Sequence, residues 1–82
     1  MILTQEIKDE LRKAYFEIDE DIEILTKEKR YTKNKALSHI GRISFMVEFG
    51  IIDADEAIEK LKKIQRIANL SEIEVDEAMF FA

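Results

Sequence analysis

Apolar residues recur along the first third of the chain at steps of three and four. Ile7, Leu11, Ala14, Tyr15, Ile18, Ile22 and Leu25 fall on one stripe when successive side chains turn by about 100°, the α-helical period. Thr4 precedes the run, and its hydroxyl can accept from the free amides of the next turn, while Gln5 and Glu6 suit the positive end of a helix. A first helix is therefore predicted from Gln5 to about Lys29. Neither glycine nor proline marks its end, so the break is placed near Tyr31 and Thr32, with Thr32 capping the next helix.

The second helix, over about residues 33–49, carries Ala36, Leu37, Ile40, Ile43, Ser44 and Val47 on one face. Phe45 and Phe49 point to another side, where Ser38 and Gly41 lie one turn apart and would let a neighbouring backbone approach closely. A helix that is apolar on two sides belongs in the centre of a bundle. Gly50 can end it in the left-handed conformation, with Ile51 folding back on Met46. Asp53 and Glu56 then read as a reciprocal capping pair ahead of a third helix that begins at Ala54 and ends near Asn69. Ala54, Ala57, Ile58, Leu61, Ile64 and Ala68 line its inner face. Ser71 and Glu74 repeat the capping pattern before a short helix over about residues 72–81. The expected fold is all-α: a compact bundle of three to four helices, one domain over residues 1–82, with the second helix central.

The stretch Phe49-Gly50-Ile51-Ile52-Asp53-Ala54-Asp55-Glu56-Ala57, continuing to Ile64, resembles a short glycine-capped helical hairpin. Over about residues 46–64 it is similar to the hairpin of small phage and mobile-element proteins and of SHOCT-type modules. Those hairpins usually carry an aromatic where this chain has Ala57. The resemblance implies an interaction or assembly module, with no catalytic residue to carry over.

Composition narrows the chemistry. The chain has no cysteine, which excludes disulfides, thiol catalysis and cysteine zinc sites. Its opening residues lack the positive start and apolar stretch of a signal peptide, and no apolar run approaches the ~18 residues of a membrane span. A soluble, cytoplasmic protein without a membrane partner is expected. No cofactor or metal is expected either: the carboxylates Asp19, Glu20, Asp21 and Glu23 lack the glycine and distant glutamate of a calcium loop and read as a solvated face. The single histidine, His39, stands a turn from Lys35 and Arg42, so a neutral surface or interface role is expected, and no enzyme.

Charge is blocked along the chain. Residues 1–25 hold eight acids and three bases, residues 26–42 one acid and six bases, and residues 43–82 nine acids and four bases. The basic middle can lie against acidic flanks, but each block is also a candidate surface. On the first helix Phe16 falls opposite the apolar stripe among acids, so Phe16, Glu17, Glu20 and Glu23 form a candidate protein-binding face. The rival is a small DNA-binding regulator that uses the segment 27–42, with Lys33, Lys35, His39 and Arg42 meeting nucleic acid. The Gly50 turn itself does not suit DNA, because the helix after it opens with Asp53, Asp55, Glu56 and Glu59. Phe45, Phe49, Phe80 and Phe81 exceed what a small domain covers, so a homodimer is expected. The function expected is that of a small acidic, non-catalytic protein that binds or regulates another protein. A phage or mobile-element origin and an inhibitory action on a host nucleic-acid-handling protein fit the acidic faces.

Overall fold

Each helix starts where a short polar side chain stands ahead of an apolar stripe. In the computed structural model, which describes residues 3–81 with the side chain of residue 81 excepted, these are α1 (Gln5–Lys27), α2 (Lys33–Glu48), α3 (Ala54–Ala68) and α4 (Glu72–Phe81). Thr4 Oγ1 accepts from the Ile7 amide at 3.2 Å and Thr32 Oγ1 from the Lys35 amide at 3.2 Å, each satisfying a free donor of the first turn. Before α4 the cap is reciprocal: the Glu74 amide donates to Ser71 Oγ at 3.1 Å and the Ser71 amide to Glu74 Oε1 at 3.0 Å. Asp53 departs from this pattern. It occupies the N-cap position of α3 with extended backbone, yet its side chain makes no capping bond, so the expected pair with Glu56 does not form.

Three helices end in the same way, with one residue in the left-handed region. After α2 it is Gly50 (φ 70°), whose amide donates to Val47 O at 3.0 Å while Ile51 N donates to Met46 O at 2.8 Å. After α3 it is Asn69 (φ 54°), with Leu70 N on Gln65 O at 3.0 Å. After α1 it is Lys29 (φ 57°), with Arg30 N on Leu25 O at 2.7 Å. The first helix therefore stops at Lys27, short of Lys29, and its end is as sharp as the glycine one although no glycine marks it.

The core gathers around α2, which packs against α1, α3 and α4 and meets α3 and α4 most extensively. Ala36, Ile40, Ile43 and Met46 of α2 are buried against Tyr15, Ile18 and Ile22 of α1, Ala57, Ile64 and Ala68 of α3, and Val75 of α4. Ile51, Ile52 and Leu70 from the two later turns complete it. Burying one such isoleucine stabilises by about 1.5–3 kcal/mol, so this set supplies most of the favourable free energy. Ala54 and Ile58, expected on the inner face of α3, are exposed instead. Ile58 lies about 100° round the helix from Ala57, and the buried line runs through Ala57, Ile64 and Ala68.

Polar ties lock the helices in place. Arg12 of α1 donates to Ile51 O in the α2–α3 turn at 3.1 Å, and Ser44 of α2 donates to Met79 O near the end of α4 at 3.2 Å. Lys60 of α3 reaches across to Asp19 of α1, with its ammonium 4.3 Å from the centre of the Tyr15 ring. Among the described residues no helix is long and apolar enough to cross a membrane.

Candidate functional site

A concave feature opens where α1 and α4 flank α2 without meeting over it. An open groove with a volume of about 990 Å³ runs along α2 between α1 and α4. Leu11 and Ala14 form its α1 wall, Leu37, Gly41, Phe45 and Met46 its α2 floor, and Ala78 its apolar α4 wall. Polar groups sit among them: Ser38 and Arg42 on α2, Glu74 and Glu77 on α4. Ser38 and Gly41, the pair expected to admit a neighbouring backbone, both line this groove. Leu11, Ala14 and Ala78 are only half-buried, so the stripe read as core on α1 extends past the core onto an open surface. The available signal was the coincidence of small residues, Ala14, Gly41 and Ala78, on three different helices.

The Glu74 carboxyl at the groove's edge is held below the usual carboxylate range, first by the Ser71 amide and hydroxyl and then by the Lys33 ammonium. Lys33 Nζ lies 3.7 Å from it. This residue therefore caps α4 and lines the groove at once.

The acidic face takes a different form from the one expected. Phe16 is 51% exposed and does point away from the core. Its surroundings are of mixed sign, because α3 brings Lys62, Lys63 and Arg66 to the far wall of a cleft of about 590 Å³ that Phe16 and Asp19 line from α1. The Arg12 guanidinium lies 5.6 Å from the Phe16 ring centre. Glu17, Glu20 and Glu23 are exposed, but Glu17 turns about 100° away from Phe16 towards the side of α1 that carries Ala14. Phe16, Glu20 and Glu23 fall within about 60° of one another, and Glu17 lies about 60° further round, beside Glu20.

The basic candidates are divided. Lys33, Lys35 and Arg42 are exposed, with Lys33 beside Glu74 and Arg42 in the groove. His39 is not a surface residue: it is 2% exposed, and this corrects the expectation that it meets solvent or a ligand. Position 39 lies three residues after buried Ala36 and four before buried Ile43, which puts it on the core stripe of α2. Tyr31 stacks on its ring at 5.6 Å between centres, and the Tyr31 hydroxyl is 2.9 Å from His39 Nδ1. With the ring proton on Nε2, Nδ1 accepts from Tyr31 and Nε2 faces Asp21 Oδ2 at 3.7 Å. Burial lowers the His39 pKa below its ordinary 6.5, opposed by Asp21 and reinforced by Lys35 and Arg42. Burial, with Asp21, pushes the Tyr31 hydroxyl up to about 12. The cluster fastens the α1–α2 connection to both helices.

Among the expected self-association residues, Phe45 and Phe49 pack on each other at 4.5 Å and stay partly exposed, and Phe80 is 82% exposed. The side chain of Phe81 lies outside the described residues. Among the described residues no three histidines or carboxylates are grouped to hold a metal ion. No known protein family matches the chain, and neither curated proteins nor solved structures give a match.

Proposed function

We propose that this protein is a non-catalytic protein–protein interaction module that receives a helix of another protein in the groove between α1 and α4. The observation that carries this reading is the groove itself. Its floor and walls are apolar where α2 would need a further neighbour, and α1 and α4 hold them open on either side. Helix-in-groove recognition uses such a surface, because an amphipathic helix can cover it without leaving backbone groups unpaired. The Gly50 turn, similar to the hairpin of assembly modules, supports the same class of function. Regulation of a partner through this contact, in a phage or mobile-element setting, belongs to the proposal, as does a homodimer through the exposed phenylalanines Phe49 and Phe80, which lie outside the groove lining.

The test is capture of partners from a lysate, with half of each sample nuclease-treated, by the wild-type chain and by Ser38→Trp. Ser38 is exposed and lines the groove, so an indole there fills it without entering the core. A stoichiometric protein that survives nuclease and is lost with Ser38→Trp is the expected result. Nuclease-sensitive capture that is unchanged in Ser38→Trp and lost on neutralising Lys33 and Lys35 would overturn it in favour of nucleic acid.

A further inference from the structure

We infer that the occupant of the groove is an amphipathic helix whose apolar face is flanked by lysine or arginine; this rests on the groove reading above and adds the partner's chemistry. The shape points to a helix. Ala14, Ser38 and Ala78 present only short side chains to the groove, and buried Gly41 adds none to its floor, so another helix can lie close along exposed Ser38. An extended peptide would bring unpaired amides to a surface built of helices, which among the described residues offers no strand edge to receive them.

The charge on the rims selects the sign. Glu74 and Glu77 stand on the α4 wall. Glu10 and Glu17, four residues before and three after Ala14, share its side of α1 and are exposed. Acids therefore stand on both long edges, Glu10 and Glu17 on one and Glu74 and Glu77 on the other, and outnumber the nearby bases, which are Lys13 between Glu10 and Glu17, Arg42 in the groove and Lys33 beside Glu74. A second copy of this chain fits poorly, because a two-fold contact sets a patch against itself and would bring the acidic rims together. A basic helix meets them with opposite charge, which steers its approach and excludes acidic competitors.

The experiment is selection of random peptides of about 16 residues, which span about 24 Å as a helix, on the full-length chain and in parallel on Ser38→Trp. Selected peptides are then titrated against two charge variants of equal net change. Glu10→Lys/Glu17→Lys/Glu77→Lys reverses the groove rims, sparing Glu74 because it caps α4. Glu20→Lys/Glu23→Lys/Glu59→Lys reverses exposed acids away from the groove. Circular dichroism establishes that each variant is folded. The expected outcome is enrichment, on the wild type and not on Ser38→Trp, of peptides with apolar residues at helical spacing flanked by Lys or Arg. Their affinity falls about 10-fold or more on the rim variant and changes little on the distal one. Groove-dependent peptides with neutral or acidic flanks, or equal losses on both variants, would overturn the charge inference and leave the groove reading standing. Loss on the distal variant alone would move the site to the Phe16 cleft. No enrichment over Ser38→Trp would overturn the groove reading itself.

Discussion

Lys29 holds a backbone conformation that L side chains enter at a cost of about 1–2 kcal/mol. Lys29→Gly relieves that strain, partly offset by greater freedom of the unfolded chain, and is expected to raise unfolding free energy by about 0.5–1 kcal/mol in urea titrations. Gly50→Ala should move it the other way by about 1 kcal/mol; a Cβ at Gly50 meets nothing within 4 Å, so strain alone sets the loss. Tyr15 carries the opposite kind of cost. Its ring is fully buried while its hydroxyl finds no hydrogen-bond partner among the described residues, and burial, with Glu56 and Asp19, pushes its pKa up to about 12. Tyr15→Phe removes the orphan group, keeps the ring beneath Lys60, and is expected to stabilise by about 1 kcal/mol. His39 makes stability depend on pH. Its folded pKa is depressed, so the unfolded chain takes up the proton more readily. Stability is full above about pH 6.5 and is lost as pH falls through the folded value, with a slope no steeper than about 1.4 kcal/mol per pH unit. Because His39 is the one histidine, urea midpoints should drop between pH 7 and 5, and His39→Gln should flatten that drop.

The pairing of α1 with α3 depends on Lys60, whose side chain is 10% exposed, and on its partner Asp19. Asp19 belongs to the carboxylate run that reads as solvated along the sequence, yet in the fold it neutralises a nearly buried ammonium. Asp19→Asn leaves that charge without a counterion and is expected to cost about 1–2 kcal/mol, less than a fully buried pair because Asp19 is partly solvated. Replacing Lys60→Met in the same chain should recover most of the loss, and a double-mutant cycle by chemical denaturation measures the coupling. The fourth helix, ten residues long, is too short to hold by propensity alone. Its order comes from the Ser71–Glu74 cap, from Val75 in the core and from the Ser44 bond to Met79 O.

The molecule spans 37 × 26 × 20 Å, and its long axis nearly matches the ~35 Å of α1, so the shorter helices cannot cover that helix along its whole length. Ile7 near its start is exposed for this reason. On its outer side α4 turns Ile73, 70% exposed, and Phe80 outward, seven residues apart along the helix. For the homodimer proposed above, sedimentation equilibrium should give a concentration-dependent mass rising to that of two chains. Phe80→Ser should lower that mass towards one chain while moving the unfolding free energy of the monomer by no more than about 0.5 kcal/mol. A mass of one chain at every concentration for the wild type removes the dimer from the reading.

Local sequence determined the helix starts at Thr4, Thr32 and Ser71 and the stop at Gly50, because capping bonds and the conformational freedom of glycine act within a few residues. Helical periodicity likewise made α2 legible as the central helix, and with it most of the core. What it left open were features that need two elements at once. Lys29 could not be read as a left-handed stop, since lysine carries no such preference and only the return of the chain into α2 demands it. His39 looked exposed beside Lys35 and Arg42 until α1 and Tyr31 closed over it, and Asp19 looked solvated until α3 supplied Lys60. On α2 the groove showed in the sequence as the small residues Ser38 and Gly41, and nothing local tied them to Ala14 and Ala78 on the flanking helices. Whether a neighbour fills the space beside them depends on where α1 and α4 come to rest, and that placement is set by packing between residues far apart in the chain.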